Sequence, residues 1–431
     1  MASGFIDELA AFVQASPSSY HAAAEVARRL QGAGFVAVDE RDAWPAPANG
    51  VAQRGLIVRD GAVVAWAVPA HAGPTTPFRI VGAHTDSPGF KLKPKPTTGG
   101  AGWLQAGVEI YGGPLLNSWL DRELELAGRV VAADGTQHLV RSGALLRIPQ
   151  LAVHLDRGVN TEGLVLDKQR NTQPVWGVGD AQAHDLLAEV VSGSGVRASE
   201  IAGYDLVTVD TQPPRTFGLD DTLFASPRLD NLSSVFAGLH ALLGAAADSE
   251  QPATRHITVL AAFDHEELGS ESRSGASGPI LDDVLSRISG SLGAGDDERR
   301  RAYAASWCVS ADAGHAVHPN YQEKHDPVNR PTAGGGPLLK INANQRYATD
   351  AHGAALWARL CAVAGVPYQE FVSSNSVPCG STIGPLTATR LGIRTVDVGV
   401  PLLSMHSARE LCHVDDPRWL SEALRAFFAG A

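Results

Sequence analysis

Apolar residues fall at helical spacing near the start of the chain and form short continuous runs after it. The helical spacing predicts helices over Phe5–Val13 and His21–Leu30, and the second of these ends near Gly32. The runs Gly55–Val58 and Val63–Val68 lie between Gly and Pro residues, which is typical of short strands. The beginning of the chain is therefore predicted to mix helices with strands.

The pattern changes between two segments that are rich in Pro and Gly. We expect domain boundaries at these segments, Lys91–Gly102 and Thr211–Pro227. Strand-like runs, a hairpin turn and one helix are predicted between them at Leu124–Val130, Val140–Ile148, Asp134-Gly135 and Ala181–Val191. This middle region is therefore predicted to be rich in β-structure.

Helical and strand patterns alternate after Pro227. Helices are predicted at Asn231–Gly244, Asp282–Ile288 and Gly353–Ala364, strands at Ile257–Phe263, Trp307–Val309 and Thr395–Val400, and a polar loop at Gly290–Arg301. The almost continuously apolar run Ile257–Phe263 is typical of a strand buried in a parallel sheet. The simplest architecture is one α/β domain formed by residues 1–94 and 223–431, interrupted by a β-rich insertion of residues 95–222.

Composition restricts the classes of function. Of the 431 residues, 44% are hydrophobic and 19% are charged, so the chain can form a large core. The net charge of −11 argues against nucleic acid or an anionic membrane as the main partner. The first residues do not resemble a signal peptide, and no apolar stretch is long enough to span a membrane. Four scattered Cys residues indicate neither a zinc knuckle nor a disulfide framework, so we expect a cytoplasmic protein.

Residues that can bind a metal ion follow a predicted strand or begin a predicted helix at five places. They are His84 after the strand-like run Phe78–Gly82, Asp230, the pair Glu266-Glu267, Asp312 and His406. Because sites in open α/β sheets form at the carboxyl ends of the strands, we expect these segments to converge. Taken singly, each has a simpler explanation, such as a structural His, a helix N-cap or a solvated Glu pair. Together they form a donor set for two divalent ions that share a carboxylate and leave a position for water.

Neighbouring residues can complete such a centre. Asp86 follows His84 by two residues in an extended segment, so its carboxylate can orient the imidazole. One member of the Glu266-Glu267 pair can bind a metal ion while the other removes a proton from water, and the sequence leaves open which does which. The sequence contains no HExxH motif, GxSxG elbow, Walker loop or GxGxxG after a strand. A hydrolytic site with two metal ions is the interpretation that remains.

The sequence resembles the M18 family of metallopeptidases, the aspartyl aminopeptidases, in its bacterial branch and over nearly the whole chain. The resemblance rests on segments in family order: Gly82–Pro88, Ser118–Arg122, Ile148–Leu155, Ser226–Asn231, Phe263–Gly269, Ser310–Asp312, Lys340–Tyr347 and Met405–Ser407. It implies a phosphorylase/hydrolase-like α/β peptidase domain with two zinc ions and an inserted β-rich dimerisation domain. It also implies that dimers assemble into a tetrahedral shell of twelve subunits.

The resemblance further implies a role for each candidate residue. His84 and Asp312 would hold one ion, Glu267 and His406 would hold the other, and Asp230 would bridge the two. Glu266 would be the general base, and the substrate contacts would be His154, His315 and Lys340. The implied substrates are peptides with N-terminal Asp or Glu. Ala313-Gly314 departs from relatives that often have Met or a similar residue there, which could alter the packing beside His315.

The role of His154 has two interpretations. It lies in a strand-like run, Ile148–Leu155, inside the predicted insertion. It could be a third imidazole ligand of zinc, or it could enter the active site of a partner subunit and contact the reacting carbonyl. Because five other ligands already complete the two-ion set, we favour the second interpretation.

Several functions fit the predicted site. The leading one is an aminopeptidase that removes N-terminal Asp or Glu. Enzymatic alternatives are an aminopeptidase with a different N-terminal preference and a zinc deacylase or carboxypeptidase on the same fold. A noncatalytic shell or cargo protein is the alternative from another class, and the intact base beside intact ligands argues against it.

Overall fold

The computed structural model of the protein describes residues 2–44, 52–247 and 255–431. Its helices are α1 (Ala2–Ala15), α2 (Ser19–Gly32), α3 (Leu186–Val190), α4 (Leu229–Ala247), α5 (Ile280–Ser291), α6 (Asp296–Ala304), α7 (Ala351–Ala364), α8 (Ile383–Leu391) and α9 (Asp416–Ala429). Its first ten strands are β1 (Val36–Ala37), β2 (Gln53–Arg59), β3 (Ala62–Val68), β4 (Phe78–His84), β5 (Gly89–Gly100), β6 (Trp103–Tyr111), β7 (Leu124–Ala132), β8 (Gln137–Arg141), β9 (Val175–Val178) and β10 (Ile201–Asp210). The remaining strands are β11 (Arg215–Phe217), β12 (Leu223–Ser226), β13 (Ile257–Phe263), β14 (Trp307–Ala311), β15 (Gly314–His315), β16 (Leu338–Ile341), β17 (Gln369–Val372), β18 (Arg394–Gly399), β19 (Pro401–Leu402) and β20 (Glu410–His413).

A nine-stranded mixed sheet in the order β1-β2-β3-β13-β4-β14-β18-β16-β17 carries the larger core. Its middle strands β13, β4, β14 and β18 are parallel to one another. Alternate residues of these strands pack on opposite faces: Val81 and Leu260 face α1, α2, α4, α7 and α9, while Ile80 and Val259 face α5, α6 and α8. Helices cover both faces, as a parallel sheet requires, and the predicted α/β fold is confirmed.

A six-stranded sheet in the order β8-β7-β10-β5-β6-β9 follows in the middle of the chain, and its strand pairs are antiparallel. It has its own apolar core, in which Phe90, Leu126 and Leu206 pack with residues of α3. The strands of this sheet run from Gly89 to Asp210. The division of the chain into domains at residues 95 and 222 stays a prediction.

The Pro/Gly-rich segment Lys91–Gly102, where a domain boundary is predicted, is mostly strand in the structure. Most of it belongs to β5, which pairs with β6 on both sides of an irregularity between Leu92 and Thr97. Pro94 and Pro96 lie within this irregularity, where a residue that lacks an N–H group does not interrupt the ladder. The segment is therefore a bulged strand of the second sheet.

Two predictions of local structure are wrong. The segment Gly290–Arg301 is not a polar loop, because α5 extends into it and α6 begins at Asp296. The segment Ile148–Leu155 is not a strand either. Ile148 forms only an isolated bridge to Leu120, and the chain from Val153 to Leu155 is an exposed turn.

The parallel strands end at one edge of the nine-stranded sheet. Two small sheets accompany this sheet: in β15-β19 the strands directly follow β14 and β18 in the chain, and β11-β12-β20 joins the segments before α4 and α9. Among the helices of the described residues, none has both the length and the apolar character needed to cross a membrane.

Candidate active site

Neighbouring strand ends bring the predicted metal-binding residues into one cluster. Phe263 of β13 lies opposite His84 of β4, and Ser310 of β14 lies opposite Gly82, so the segments that follow these strands emerge side by side. Asp230 enters from the first turn of α4. His406 enters from the turn that connects β19 to β20.

His84 lies at the centre of one half of the cluster. Its side chain is only 1% exposed, and its Nε2 atom lies 3.3 Å from Asp230 Oδ1, 3.4 Å from Asp312 Oδ1 and 3.9 Å from Glu266 Oε2. Its other ring nitrogen, Nδ1, lies 3.1 Å from the carbonyl oxygen of Asp86. A hydrogen bond from Nδ1–H to this carbonyl leaves the Nε2 lone pair directed at the carboxylates, as a metal-binding imidazole requires.

His406 repeats this arrangement in the other half. Its Nε2 atom lies 3.5 Å from Asp230 Oδ2 and 3.4 Å from Glu267 Oε2. Its Nδ1 atom lies 2.9 Å from the carbonyl oxygen of Gly113, which comes from the chain that follows β6. Both imidazoles therefore direct Nε2 into the cluster and Nδ1 to a main-chain carbonyl.

Asp230 joins the two halves. Its Oδ1 and Oδ2 atoms face different imidazoles, those of His84 and His406. Asp230 Oδ1 and Glu267 Oε1 are buried, and neither accepts a hydrogen bond from the described residues. One donor atom from each of His84, Asp230 and Glu267 lies within 4.8 Å of the others, so the two halves form a compact group. Buried oxygens without donors are costly unless a cation or water completes them.

The donor set and its spacing fit zinc. Zinc binds imidazole nitrogen and carboxylate oxygen at about 2.0–2.2 Å in tetrahedral sites, which places neighbouring donors about 3.3–3.5 Å apart. The four contacts that His84 and His406 make with Asp230, Asp312 and Glu267 span 3.3–3.5 Å. Such contacts are too long for strong charge-assisted hydrogen bonds and match the edges of a coordination tetrahedron.

The pKa values of the clustered side chains also fit a site that binds cations. Burial raises the pKa of Glu266 to about 8, and the charges of Asp312 and Asp230 add to this effect. Burial alone would lower the pKa of His406, but Asp230 and Glu267 raise it to about 10. Burial also raises the pKa of Asp230, but His406 and His84 together hold it below the usual range. This accumulation of buried negative charge is favourable where protons or metal cations bind.

Asp86 contacts residues from both halves of the cluster. Its Oδ1 atom accepts the main-chain N–H of Glu266 at 3.0 Å, and its Oδ2 atom accepts that of Glu267 at 3.2 Å. Oδ2 also accepts the hydroxyl of Tyr111 at 2.9 Å, and Oδ1 lies 3.5 Å from Nδ1 of His84. Asp86 therefore faces the His84 imidazole, as its position two residues after His84 predicts. It also fixes the turn that contains Glu266 and Glu267, which its position does not predict.

The two adjacent Glu side chains differ in their surroundings. The Glu267 side chain is 5% exposed and approaches His406, whereas the Glu266 side chain is 17% exposed and keeps 3.9 Å from His84. Glu266 is thus the more accessible and the less closely bound of the pair. Residue types and spacing do not distinguish the two Glu residues, and only the family resemblance assigns them different roles.

Lys340 and His315 adjoin the cluster on the side of Asp312. The buried Lys340 ammonium donates to the carbonyl oxygen of Ala313 at 2.7 Å and lies 3.7 Å from Asp312 Oδ2. It also lies 5.4 Å from the centre of the Tyr347 ring. His315 is exposed at the end of β15. Lys340 is therefore an internal cation of the site and not a solvated surface residue.

His154 lies apart from these residues. It is exposed in the turn at 153–155, and no hydrogen bond or ion pair joins it to the described residues of its own subunit. The large apolar side chains of Leu151, Val153 and Leu155 beside it are exposed as well.

Sequence patterns did not reveal two other features of the site. Glu410 is buried and accepts main-chain N–H groups of Asp230 and His406. Arg228, His265 and His406 have φ values of 59°, 62° and 66°, in the left-handed region that non-glycine residues rarely adopt. Such conformations concentrate at functional sites because the surrounding structure must stabilise them. Only the position of Glu410 four residues after His406 could have drawn attention to it.

Comparisons with known proteins agree with the geometry. The family model described as "Aminopeptidase I zinc metalloprotease (M18)" matches residues 12–428. "Probable M18 family aminopeptidase 2" of Streptomyces avermitilis is 55% identical over 429 residues, which cover 99% of this chain and 98% of the relative. A chain in the "Cryo-EM structure of the Ape4 and Nbr1 complex" is 34% identical, with a TM-score of 0.93 over 99% of this chain and 86% of that chain. The S. cerevisiae mApe1 dodecamer structure is 28% identical, with a TM-score of 0.85 over 100% of this chain and 96% of that chain.

Proposed function

Because the chain belongs to the M18 family of zinc aminopeptidases, we propose that it removes N-terminal residues, preferably Asp or Glu, at a centre of two zinc ions. The observation that carries this proposal is the position of Asp230. Its two oxygens lie 3.3 Å and 3.5 Å from imidazoles that arrive from opposite halves of the site. A carboxylate shared by two catalytic ions needs this arrangement.

In the proposed centre, each half of the cluster holds one ion. His84 and Asp312 hold the first, Glu267 and His406 hold the second, and Asp230 bridges them. The spacing of the donors and the unpaired oxygens of Asp230 and Glu267 support this division. When bound, such ions polarise the scissile carbonyl and lower the pKa of water.

Glu266 is the proposed general base. It takes a proton from the attacking water and returns it to the amine that leaves, while the buried surroundings of the site exclude bulk water. Its greater exposure and its 3.9 Å separation from His84 support this role over that of a ligand. Asp86 holds the main chain of Glu266 and so keeps the base directed at the reacting atoms.

Lys340 is the proposed acid-selecting group, and His315 a further contact of the substrate. One of the three Lys340 ammonium protons is donated to Ala313, and Asp312 Oδ2, at 3.7 Å, lies beyond hydrogen-bonding distance, so two protons remain for a substrate carboxylate. Such a cation is already desolvated in the free enzyme, so its pairing with an acidic side chain favours Asp or Glu over an apolar residue. A Cβ atom at Gly314 would clash with Leu338 Cδ1 and lie 3.2 Å from Lys340 Cε, so the glycine leaves room for both side chains.

His154 is proposed to act in the active site of a second subunit, where it stabilises the negative charge that develops on the carbonyl oxygen. Its exposed turn and the apolar side chains of Leu151, Val153 and Leu155 support an intersubunit contact there. We further propose that such dimers assemble into a tetrahedral homododecamer. The dodecamer seen for the mApe1 relative supports this assembly.

A panel of peptides that differ only in the first residue tests the proposal. The zinc-loaded protein should cleave peptides with N-terminal Asp and Glu fastest, and acetylation of the N-terminal amine should abolish cleavage. Cleavage of the acetylated peptides would contradict an aminopeptidase. Fastest cleavage of Leu or Ala peptides would retain the aminopeptidase and exclude the acidic preference.

Metal analysis of substituted proteins tests the ligand assignment separately. Asp230→Ala should weaken both metal positions because it removes the shared carboxylate. His84→Ala and His406→Ala should each weaken mainly one position. Equal losses in all three variants would contradict the bridging role of Asp230.

A further inference from the structure

Glu410 lies between two site residues that come from distant parts of the chain. Its side chain is buried, with the residue 2% exposed. Its Oε2 atom accepts the main-chain N–H of Asp230 at 2.8 Å, and its Oε1 atom accepts that of His406 at 2.7 Å. One carboxylate therefore fixes the backbone of two residues whose side chains both face the candidate metal centre.

The strand that begins at Glu410 also fixes the segments that lead to these two residues. Glu410 pairs with Ser226 of β12, and the chain continues from Ser226 to Asp230. Leu411 pairs with Leu403 through hydrogen bonds of 2.9 Å and 3.1 Å, and the chain continues from Leu403 to His406. Strand β20 thus sets the register of both segments, and the Glu410 carboxylate sets their separation.

The backbone of His406 needs this support. Its φ of 66° is unfavourable for a residue that has a side chain. The hydrogen bond from its N–H to Glu410 stabilises this conformation, and the bond from Nδ1 to the Gly113 carbonyl stabilises the ring orientation. Without the first bond, the backbone of His406 can relax and carry Nε2 away from Asp230.

We propose that Glu410 is a positioning residue that holds His406 against Asp230 and thereby strengthens metal binding in the half of the site that contains His406. The inference rests on the proposed centre of two ions. A carboxylate suits this role because it offers two acceptors to two N–H donors. A Gln amide offers one acceptor and one NH₂ group, so one of the two buried N–H groups would face another donor.

The experiment compares Glu410→Gln with the matched control Asp416→Asn. Asp416 is also fully buried, and its carboxylate accepts two main-chain N–H groups, those of Gly334 and Gly336, at 2.9 Å and 3.0 Å. None of its partners is a proposed ligand. Zinc titrations against a competing chelator measure both dissociation constants, and the melting temperature of each metal-free protein measures folding.

We expect Glu410→Gln to weaken the metal position of His406 by about 10- to 100-fold, the usual effect of losing a group that orients a ligand. The position of His84 should lose less, and a His406→Ala variant identifies which constant belongs to which half. Asp416→Asn should lower the melting temperature of the metal-free protein and leave both constants unchanged. Glu410→Asp, which keeps both acceptors on a shorter side chain, should give a smaller loss than Glu410→Gln and remains informative if the Gln variant does not fold.

The outcomes separate this inference from the proposed function. Two ions in the unsubstituted protein, with both constants unchanged in the folded Glu410 variants, would overturn the inference alone. Equal losses in both halves, or the same loss in Asp416→Asn, would also overturn it, because a general structural defect would then explain the effect. A single ion in the unsubstituted protein would contradict the proposed two-ion centre and overturn the inference with it.

Discussion

Replacing Glu266 by Gln removes the proposed base with almost no change in shape. The main chain at this position should stay in place, because Asp86 binds the N–H of Glu266 and not its side chain. Metal binding should also persist, since Glu266 lies 3.9 Å from His84 Nε2 and outside the 3.3–3.5 Å contacts of the other acids. A positioned base contributes about 100- to 10,000-fold to the rate. The corresponding rise in the activation barrier is about 2.7–5.5 kcal/mol.

Steady-state cleavage of a peptide with N-terminal Asp, together with metal analysis of the same preparation, measures both effects. We expect kcat to fall by that factor while the metal content stays normal. Glu267→Gln is the matched control, because it changes the adjacent, more buried acid that contacts His406 at 3.4 Å. That variant should lose metal in one half of the site. If Glu266→Gln lost metal and Glu267→Gln kept it, the two roles would be reversed.

Three further predictions concern specificity, subunit exchange and pH. Lys340→Ala should slow the cleavage of peptides with N-terminal Asp far more than that of Leu peptides, and equal slowing in kcat/KM measurements would assign Lys340 a general role. His154→Ala should reduce turnover by about 100- to 1,000-fold, and mixing it with Glu266→Gln under proven subunit exchange should restore activity; no recovery would exclude action in the partner's site. Although burial lowers the pKa of both imidazoles, the surrounding acids raise it to about 10 for His406 and well above 6.5 for His84 in the metal-free protein. Zinc must displace these protons, so affinity measured by chelator competition should rise with pH up to about 10, and a pH-independent affinity would contradict this.

Protonation of His406 also affects the stability of the metal-free protein. The raised pKa of His406 means that its protonated form stabilises the fold fully below its unfolded-state pKa of about 6.5. This contribution is lost as the pH rises through about 10. The metal-free protein is therefore expected to lose this part of its stability in alkaline solution, where zinc binding is strongest.

Elements whose pattern reflects burial could be predicted from the sequence. The run Ile257–Phe263 forms a buried strand with the predicted bounds, because a strand covered on both faces is almost continuously apolar. The parallel strands β13, β4 and β14 end at the same edge of the sheet, so His84, Glu267 and Asp312 could be grouped before their positions were known.

Other elements could not be predicted, because tertiary contacts or side-chain capping determine them. Helix α6 is polar, and its start is set by Gly295, whose N–H is bound by the Glu298 side chain at 2.8 Å. Strand β5 contains Pro residues, which are unusual inside a strand, but its pairing with β6 resumes after the irregularity between Leu92 and Thr97. The segment around His154 alternates apolar and other residues as a strand does, but Leu151, Val153 and Leu155 are exposed and residues 153–155 form a turn.

Some features of the site could likewise be predicted from the sequence, and others could not. Metal-binding residue types at strand ends identify the cluster, since few other arrangements place His and acidic residues together in an apolar core. The choice between Glu266 and Glu267 depends on side-chain directions that adjacent positions in a turn do not specify. Glu410 binds the main-chain N–H groups of His406, four residues before it, and of Asp230, 180 residues before it, and no spacing rule marks the second contact.

Anomalous X-ray scattering from crystals of the zinc-loaded protein tests the central claim most directly, because it locates each ion without reference to activity. We expect two zinc peaks, one among His84, Asp312 and Asp230 and the other among Glu267, His406 and Asp230, with one Asp230 oxygen bound to each ion. A single peak, or two peaks without Asp230 between them, would contradict the account.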